Sequence, residues 1–300
     1  MTASHEAERV KRELLLRSLF PAMPASMHVR FIELLEDLEL APGQLAFAQG
    51  DPPDRFLFLT EGRVALESEG MQSIEFSGFA VVGVVDAVLE RPRLRACRAL
   101  EPSKALVVRS ADWFDLLEDN AEVARAATRN FATQLHALWQ QHAKRAPEIS
   151  IPPRGVRPPK LDTYDKIVAL RQADFLRRAG MQAVASLASV AETVVLNASE
   201  SLFEVGDDGE NFYVVATGLI ELRHGSGLRF VHDAGDLVGG PAPFCGALPS
   251  YSARALSDSV VLRIQQQEFY DQAEEHGRLL RGTLAYLASQ LEALQSVPAI

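Results

Sequence analysis

Long hydrophobic runs, cysteines and an excess of basic residues are all lacking in this sequence of 300 residues. No apolar run reaches the length of about 18 residues that a transmembrane helix needs. The two cysteines, Cys97 and Cys245, are too few for a disulfide framework or a structural zinc site. The N-terminal residues are charged and lack the basic-then-apolar order of a signal peptide. We therefore expect a cytoplasmic protein without membrane contact.

Acidic residues outnumber basic ones, 40 to 30, and the formal net charge is −10. Nucleic-acid binding depends on Lys and Arg that neutralise phosphates, so this balance disfavours DNA or RNA as a partner. Basic residues gather in one stretch, residues 144–160, where they alternate with prolines. Because proline fixes φ and lacks an amide donor, we interpret residues 146–162 as an extended Pro/Arg-rich linker. A docking role for this linker stays open.

One segment of the sequence occurs twice. The first copy, GDPPDRFLFLTEGRV, begins at Gly50, and the second, GDDGENFYVVATGLI, begins at Gly206, a shift of 156 residues. The same shift relates further identical pairs: Phe47 and Phe203, Phe56 and Phe212, Gly62 and Gly218, Gly83 and Gly239, Leu106 and Leu262. A constant shift without insertion indicates a duplicated domain.

Each copy has the same predicted order of elements. Each copy begins with helical spacing, and in the first copy the last of these predicted helices covers residues 28–38. Short strands that Gly, Asp and Pro interrupt come next. A long helical segment follows, over residues 111–143 in the first copy and 266–296 in the second. Such strands are typical of a barrel or sandwich, and we expect Phe56 and Phe212 to point into it. The sequence predicts a first domain over residues 1–145 and a second over 163–300, each mainly β with flanking helices.

The repeated segments, FAQGDPPDRFLFLTEGRVAL and FEVGDDGENFYVVATGLIEL, resemble the signature of the cyclic-nucleotide-binding domain. In both, a Gly-Asp turn precedes an aromatic-rich strand and a further glycine. The resemblance implies two tandem β-roll (jelly-roll) domains, each with a phosphate-binding cassette. That cassette reads Gly-Glu at the start of a short helix, then an Arg followed by Ala, Ser or Thr. The helix N-terminus and the Arg bind the cyclic phosphate, and the Glu accepts a hydrogen bond from the ribose.

The first cassette, VVGVVDAVLERPRLRACRAL, retains part of this pattern. Gly83 matches the cassette glycine and Arg93 matches the phosphate-binding Arg. Val84 stands in place of the Glu, and Leu94 replaces the small neighbour of the Arg. The ribose acceptor is therefore lost. Two interpretations of Arg93 remain open: a phosphate contact, or a surface Arg that pairs with Glu90 or lies in water.

The second cassette, LVGGPAPFCGALPSYSARAL, departs further from the family. Gly239 is retained, but Gly240 replaces the Glu and Pro249 occupies the position of the Arg. Ser250 could still donate one hydrogen bond, whereas two prolines remove amide donors from the helix start. Burying a phosphate without a partner is strongly unfavourable, so we expect no high-affinity cyclic nucleotide here.

The last helical segment carries leucines at alternating spacings of four and three, which is the pattern of a coiled-coil seam. We predict that this seam forms a homodimer interface. Two alternatives stay open: the leucines pack on their own barrel, or they join the two copies within one chain. The leucines are Leu280, Leu284, Leu287, Leu291 and Leu294.

The sequence offers no catalytic constellation, since its seven histidines are scattered and no nucleophile or phosphate-loop motif occurs. Neither a helix-turn-helix nor an inhibitory segment with paired arginines is recognised. We therefore predict a non-catalytic regulatory or adaptor protein, without metal or cofactor, that binds another protein of unknown identity. The alternative is a nucleotide sensor or regulatory subunit whose first domain binds cyclic AMP, cyclic GMP or a related nucleotide through Arg93.

Overall fold

The computed structural model describes residues 25–141, 161–225 and 229–295, together with Arg12, Glu13 and Arg17. These residues fall into two compact units, one ending at Asn130 and the other running from Phe131 to Leu294. Residues 146–160 of the predicted linker lie outside the described part of the chain. No helix within the described residues is long and apolar enough to cross a membrane.

Two four-stranded antiparallel sheets form the roll of the first unit. Its strands are β1 (Glu36–Leu40), β2 (Leu45–Phe47), β3 (Arg55–Glu61), β4 (Arg63–Glu67), β5 (Ile74–Ser77), β6 (Ala80–Val82), β7 (Ala96–Ala99) and β8 (Ser103–Arg109). One sheet has the order β1-β8-β3-β6 and the other β2-β7-β4-β5. Side chains from both sheets, including Leu57, Val64 and Val107, meet in an apolar interior.

The second unit repeats this topology. Its strands are β9 (Glu192–Leu196), β10 (Ser201–Phe203), β11 (Asn211–Thr217), β12 (Ile220–His224), β13 (Arg229–His232), β14 (Leu237–Val238), β15 (Tyr251–Ala255) and β16 (Ser259–Gln265). The sheet orders are β9-β16-β11-β14 and β10-β15-β12-β13. Tyr213 lies opposite Val238 as Leu57 lies opposite Val82, so the pairing register keeps the sequence shift of the repeat. The predicted tandem of mainly β domains with flanking helices is confirmed.

Helices precede, interrupt and follow the strands of each unit. They are α1 (Ala25–Ile32), α2 (Val84–Leu89), α3 (Ser110–Asp119), α4 (Ala121–Gln141), α5 (Thr163–Gln172), α6 (Met181–Val190), α7 (Ala242–Cys245), α8 (Gln266–Glu275) and α9 (Arg278–Gln295). A 3-10 turn, Asp174–Leu176, follows α5. The helices α2 and α7 are short and lie in the two cassettes.

Two predictions about helices were wrong in where the helices begin and end. The helix expected over residues 28–38 ends at Ile32, because residues from Glu36 onward instead pair with β8, with Leu38 opposite Ala105. Each long closing segment is two helices rather than one. The breaks fall at Asn120 and His276, which take extended φ values of −139° and −134° and are related by the repeat shift.

The two phenylalanines expected inside the barrels face the other way. Phe56 packs against Trp113 of α3, with ring centroids 5.9 Å apart, and Phe212 packs against Phe269 of α8 at 5.5 Å. Both rings are buried, but under helices, while the neighbouring Leu57 and Tyr213 fill the roll interiors. Because side chains of a strand alternate between its faces, a strand buried on both sides places only every second residue inside the roll.

Candidate functional site

The first cassette begins at a glycine that no other residue could replace without strain. Gly83 precedes α2 with φ 83°, in the left-handed region, and makes no side-chain cap. A Cβ at this position would lie 2.9 Å from Cζ of Phe47 and 3.0 Å from Nη1 of Arg93. Val84 is the first helical residue, so the chain places an apolar side chain where the family carries its ribose acceptor. The close approach brings the main chain directly against Arg93.

The retained arginine lies inside the protein. Arg93 is 2% exposed, its Nη1 donates to the carbonyl oxygen of Gly83, and its Nη2 donates to that of Arg55. The guanidinium carbon stands 4.3 Å from the centroid of the Phe47 ring, an arrangement that favours a cation. Burial lowers the pKa of Arg93, although nearby carboxylates, Asp86 foremost, oppose that shift. Arg93 is therefore not the surface residue of the second interpretation.

The residues around Arg93 are unfavourable for binding a phosphate. Asp86, Asp54 and Asp51 all contribute negative potential at the guanidinium. Asp86 also pairs with Arg91, at 3.0 Å between Oδ1 and Nε. Leu94 is 36% exposed and offers no hydrogen bond from its side chain. A phosphate would have to displace two carbonyl acceptors and overcome three carboxylates to reach Arg93.

A tyrosine fills the corresponding space in the second cassette. Tyr251, related by the repeat shift to Arg95, is 2% exposed and packs against Phe203 at 5.8 Å between ring centroids. Its hydroxyl oxygen would lie only 2.5 Å from a Cβ at Gly240, so the absence of a side chain at Gly240 makes room for the phenol. Burial raises the pKa of Tyr251, and the ring stays neutral. The second cassette is thus occupied by an uncharged side chain.

The other residues predicted for the second cassette keep its backbone conformation but provide no contact for a phosphate. Gly239 has φ 118° and Gly240 has φ 58°, and α7, only four residues long, starts after Pro241. The carbonyl oxygen of Pro249 accepts a hydrogen bond from Gly206 at 3.1 Å, just as that of Arg93 accepts one from Gly50 at 2.9 Å. Ser250 is half-buried. The main chain of the cassette is retained although its Arg is not.

A cluster on the second roll was missed by sequence reasoning. Glu221 of β12 is 0% exposed, yet its carboxylate pairs with Arg223 at 3.2 Å, with Arg254 at 2.7 Å and with Arg229. Burial opposes its ionisation, but the hydrogen bonds from Arg229 and Arg254 outweigh burial and lower the pKa of Glu221. The repeat shift relates Glu221 to Ala65, so the cluster belongs to the second copy alone. Comparison of the two copies at this position was the signal that could have found it.

The leucines of the predicted dimer seam lie inside the chain. Leu280, Leu284, Leu287 and Leu291 are at most 3% exposed within the single chain, so the chain itself covers these four side chains, and a homodimer through this seam stays a prediction. The side chain of Leu294 lies outside the described residues. A heptad spacing places residues on one helix face without determining which surface covers that face.

A family model supplies the identity that the geometry suggests. Each unit is a β-roll in which a short helix between two strands forms a cassette. The family model for the cyclic nucleotide-binding domain matches residues 37–120 and 193–276, and the chain belongs to that family.

Curated relatives include uncharacterized NTE family proteins of Mycobacterium bovis and Mycobacterium tuberculosis. They are 32% identical to this chain over 144 residues, which are 48% of this chain and 24% of theirs. The aligned stretch therefore spans about a quarter of the length of the curated relatives it matches.

Similar solved structures include the regulatory domain of Toxoplasma gondii PKA with cAMP, at 13% identity and TM-score 0.37. That alignment covers 96% of this chain and 97% of the other. A putative cyclic nucleotide binding protein from Ruegeria pomeroyi shares 20% identity, with TM-score 0.38, over 47% of this chain and 66% of its own. Membership of the family rests on the family-model match.

Proposed function

We propose that this chain is a non-catalytic regulatory or adaptor protein of the cytoplasm whose two domains act by binding another protein. The observation that carries the proposal is that each cassette is filled by the chain itself. Arg93 is committed to main-chain carbonyls in the first domain, and Tyr251 occupies the second. Neither cassette carries the family's Glu, since Val84 and Gly240 stand in its place.

The curated relatives support a modular role. The matched stretch is a small part of much longer proteins, which is the arrangement of a domain that serves a larger assembly. The regulatory character of the cyclic nucleotide-binding family points the same way. The partner is accordingly a protein, and its identity remains to be found by experiment.

Titration calorimetry of the full chain with cyclic AMP, cyclic GMP and a cyclic dinucleotide tests the proposal. We expect no saturable heat with any of them up to millimolar ligand, because both cassettes are occupied. Binding of any of these nucleotides with micromolar affinity, at one site per chain, would overturn the proposal.

A second function is favoured by one observation in the first domain. Arg93 stands beside the cassette glycine, and its buried Nε makes no hydrogen bond within the described residues. A nucleotide phosphate that replaced the carbonyls of Gly83 and Arg55 would gain a charge-assisted pair. This candidate requires that Arg93→Ala abolish any measured nucleotide affinity, while Arg91→Ala, which removes the pair with Asp86, leaves it in place. Affinity that survives Arg93→Ala rules the second function out.

A further inference from the structure

A polar cavity of about 200 Å³ lies in the second unit, next to the start of its cassette segment at Leu237. It opens between the 3-10 turn, the connection from β13 to β14, and α9. Since a water molecule occupies about 30 Å³ in the liquid, the cavity has room for a ligand of several non-hydrogen atoms. Its lining residues that bear on the chemistry are Asp174, Phe230, His232, Asp236, Tyr286 and Gln290.

The first domain has no such polar pair at the matching positions. The repeat shift relates His232 to Phe76 and Asp236 to Ala80. The strand register confirms the first correspondence, because His232 lies opposite Ile220 as Phe76 lies opposite Val64. In the first unit Phe76 and Ala80 pack against the apolar interior. The second unit therefore carries two titratable groups where the same fold elsewhere buries hydrocarbon.

The carboxylate of Asp236 is held in its ionised form. Nδ1 of His232 lies 3.4 Å from Oδ2 of Asp236, and the backbone amide of Asp233 donates to the same oxygen at 3.0 Å. The neighbouring His232 is the main cause of the lowered pKa of Asp236, with burial acting against it. Both ring nitrogens of His232 are screened from solvent, and neither has a hydrogen-bond partner within the described residues.

The cavity thus presents acceptors and negative charge. Asp174 adds a second carboxylate, which is 67% exposed and paired with Arg177 at 2.7 Å, and Gln290 adds a side-chain amide. No Lys or Arg of the described residues lines the cavity. The rings of Phe230 and Tyr286 supply faces of the kind that attract cations. Such a lining suits a ligand that donates hydrogen bonds and carries positive charge.

We propose that this cavity binds a small organic ammonium ion, with the ammonium group against the carboxylate of Asp236 and its hydrocarbon against Phe230 and Tyr286. A bare metal ion fits less well, since no three His, Cys, Asp or Glu side chains in the described part of the chain are grouped to hold one. The site adjoins the start of the second cassette segment at Leu237 and goes beyond the proposed function.

Such a ligand would contact three elements of the second unit at once. Tyr286 and Gln290 belong to α9, Asp174 to the 3-10 turn, and His232 to β13. Anything that binds only the folded arrangement stabilises it by mass action. The ammonium ion would therefore hold the closing helix of the second unit on its roll.

Calorimetry of the full chain with n-butylammonium at neutral pH tests the proposal, with 1-butanol as the uncharged control. We expect saturable binding of butylammonium and none of butanol. Asp236→Asn should weaken the affinity about tenfold or more by removing the carboxylate charge from the cavity lining. The matched control is Asp233→Asn, which alters an exposed carboxylate in the same turn and should leave the affinity unchanged.

Circular dichroism verifies that each variant is folded. If Asp236→Asn does not fold, His232→Phe, which installs the first domain's residue, carries the test with the same expected loss. Absence of saturable butylammonium binding, equal affinity for butanol, or an unchanged affinity in the folded variants would each overturn the proposal.

Discussion

The two cassettes occupy equivalent places in the repeat and are filled by opposite chemistries. In the first, the guanidinium of Arg93 stands over Phe47; in the second, the phenol of Tyr251 packs against Phe203. Phe47 and Phe203 are related by the repeat shift. The equivalent phenylalanine therefore contacts a cation in the first copy and a neutral ring in the second. The comparison teaches that the repeat keeps this backbone while the side chain next to the conserved phenylalanine changes from charged to neutral.

The difference has energetic consequences for the two domains. Arg93 stabilises the first cassette through hydrogen bonds to carbonyls, and these must offset the cost of burying a cation. Tyr251 stabilises the second through packing, which carries no charge to desolvate. Removing the side chain of Arg93 or of Tyr251 should therefore destabilise the domain that contains it, by a different mechanism and by a different amount in each case.

Tyr251→Ala should have the largest effect, because it opens a cavity beside Phe203 in a packed interior. We expect the second domain to lose about 3–5 kcal/mol of unfolding free energy. Urea denaturation combined with hydrogen exchange resolves this loss to the second unit. Tyr164→Ala, at a ring that is 73% exposed, is the control and should change stability by less than about 0.5 kcal/mol. A loss below about 1 kcal/mol for Tyr251→Ala would mean that the phenol does not fill the cassette.

Arg93→Ala should cost the first domain about 2–4 kcal/mol, because the carbonyls of Gly83 and Arg55 lose their donors. The loss is smaller than that of the tyrosine since the cost of burying the cation disappears with it. Arg63→Ala, whose half-exposed side chain pairs with Glu101, should cost about 1 kcal/mol at most. Equal losses for the two arginine variants would contradict the burial of Arg93. The same hydrogen-exchange measurement distinguishes these outcomes.

Gly240→Ala should destabilise the second domain by about 1–3 kcal/mol, because the new Cβ meets the Tyr251 hydroxyl at a φ of 58°. The matched change in the first domain is Val84→Ala, which removes two methyl groups and should cost about 1 kcal/mol or less. Thermal unfolding of both variants provides the comparison. A neutral Gly240→Ala would show that the tyrosine can move out of the cassette.

Glu221→Gln should have the smallest effect, about 1–2 kcal/mol at neutral pH, because the three arginine partners are half-exposed and can be hydrated. The folded-state pKa of Glu221 lies below its unfolded value, so its contribution is complete above the unfolded pKa of about 4.3. It is lost as the pH falls through the lowered folded pKa.

Urea denaturation from neutral pH to about pH 3 follows this dependence. The stability difference between the wild type and Glu221→Gln should shrink as the solution becomes acidic. The control is Glu67→Gln in the first domain, a 40% exposed carboxylate paired with Arg98, which should show a difference of about 0.5 kcal/mol or less throughout. A difference for Glu221→Gln that persists in acid would contradict the ion cluster.

Most of the architecture was predictable because its signals are local. Glycines before Val84 and after Thr217 mark turns with positive φ, and the repeat shift carries each of them from one copy to the other. The strand over Arg55–Glu61 follows from its apolar run between turn residues. The face of Phe56 was not predictable, because both sides of that strand are buried and alternation alone does not say which side is the roll interior.

The sequence by itself determined the duplication, the family and the loss of the Glu from both cassettes. These follow from residue identity and spacing along the chain. Only the tertiary structure decided what became of the cassettes. Arg93 reaches a carbonyl 38 residues away, and Tyr251 meets Phe203 on the neighbouring strand of its sheet. Contacts between residues so distant in sequence depend on how the sheets close, and no local pattern encodes them.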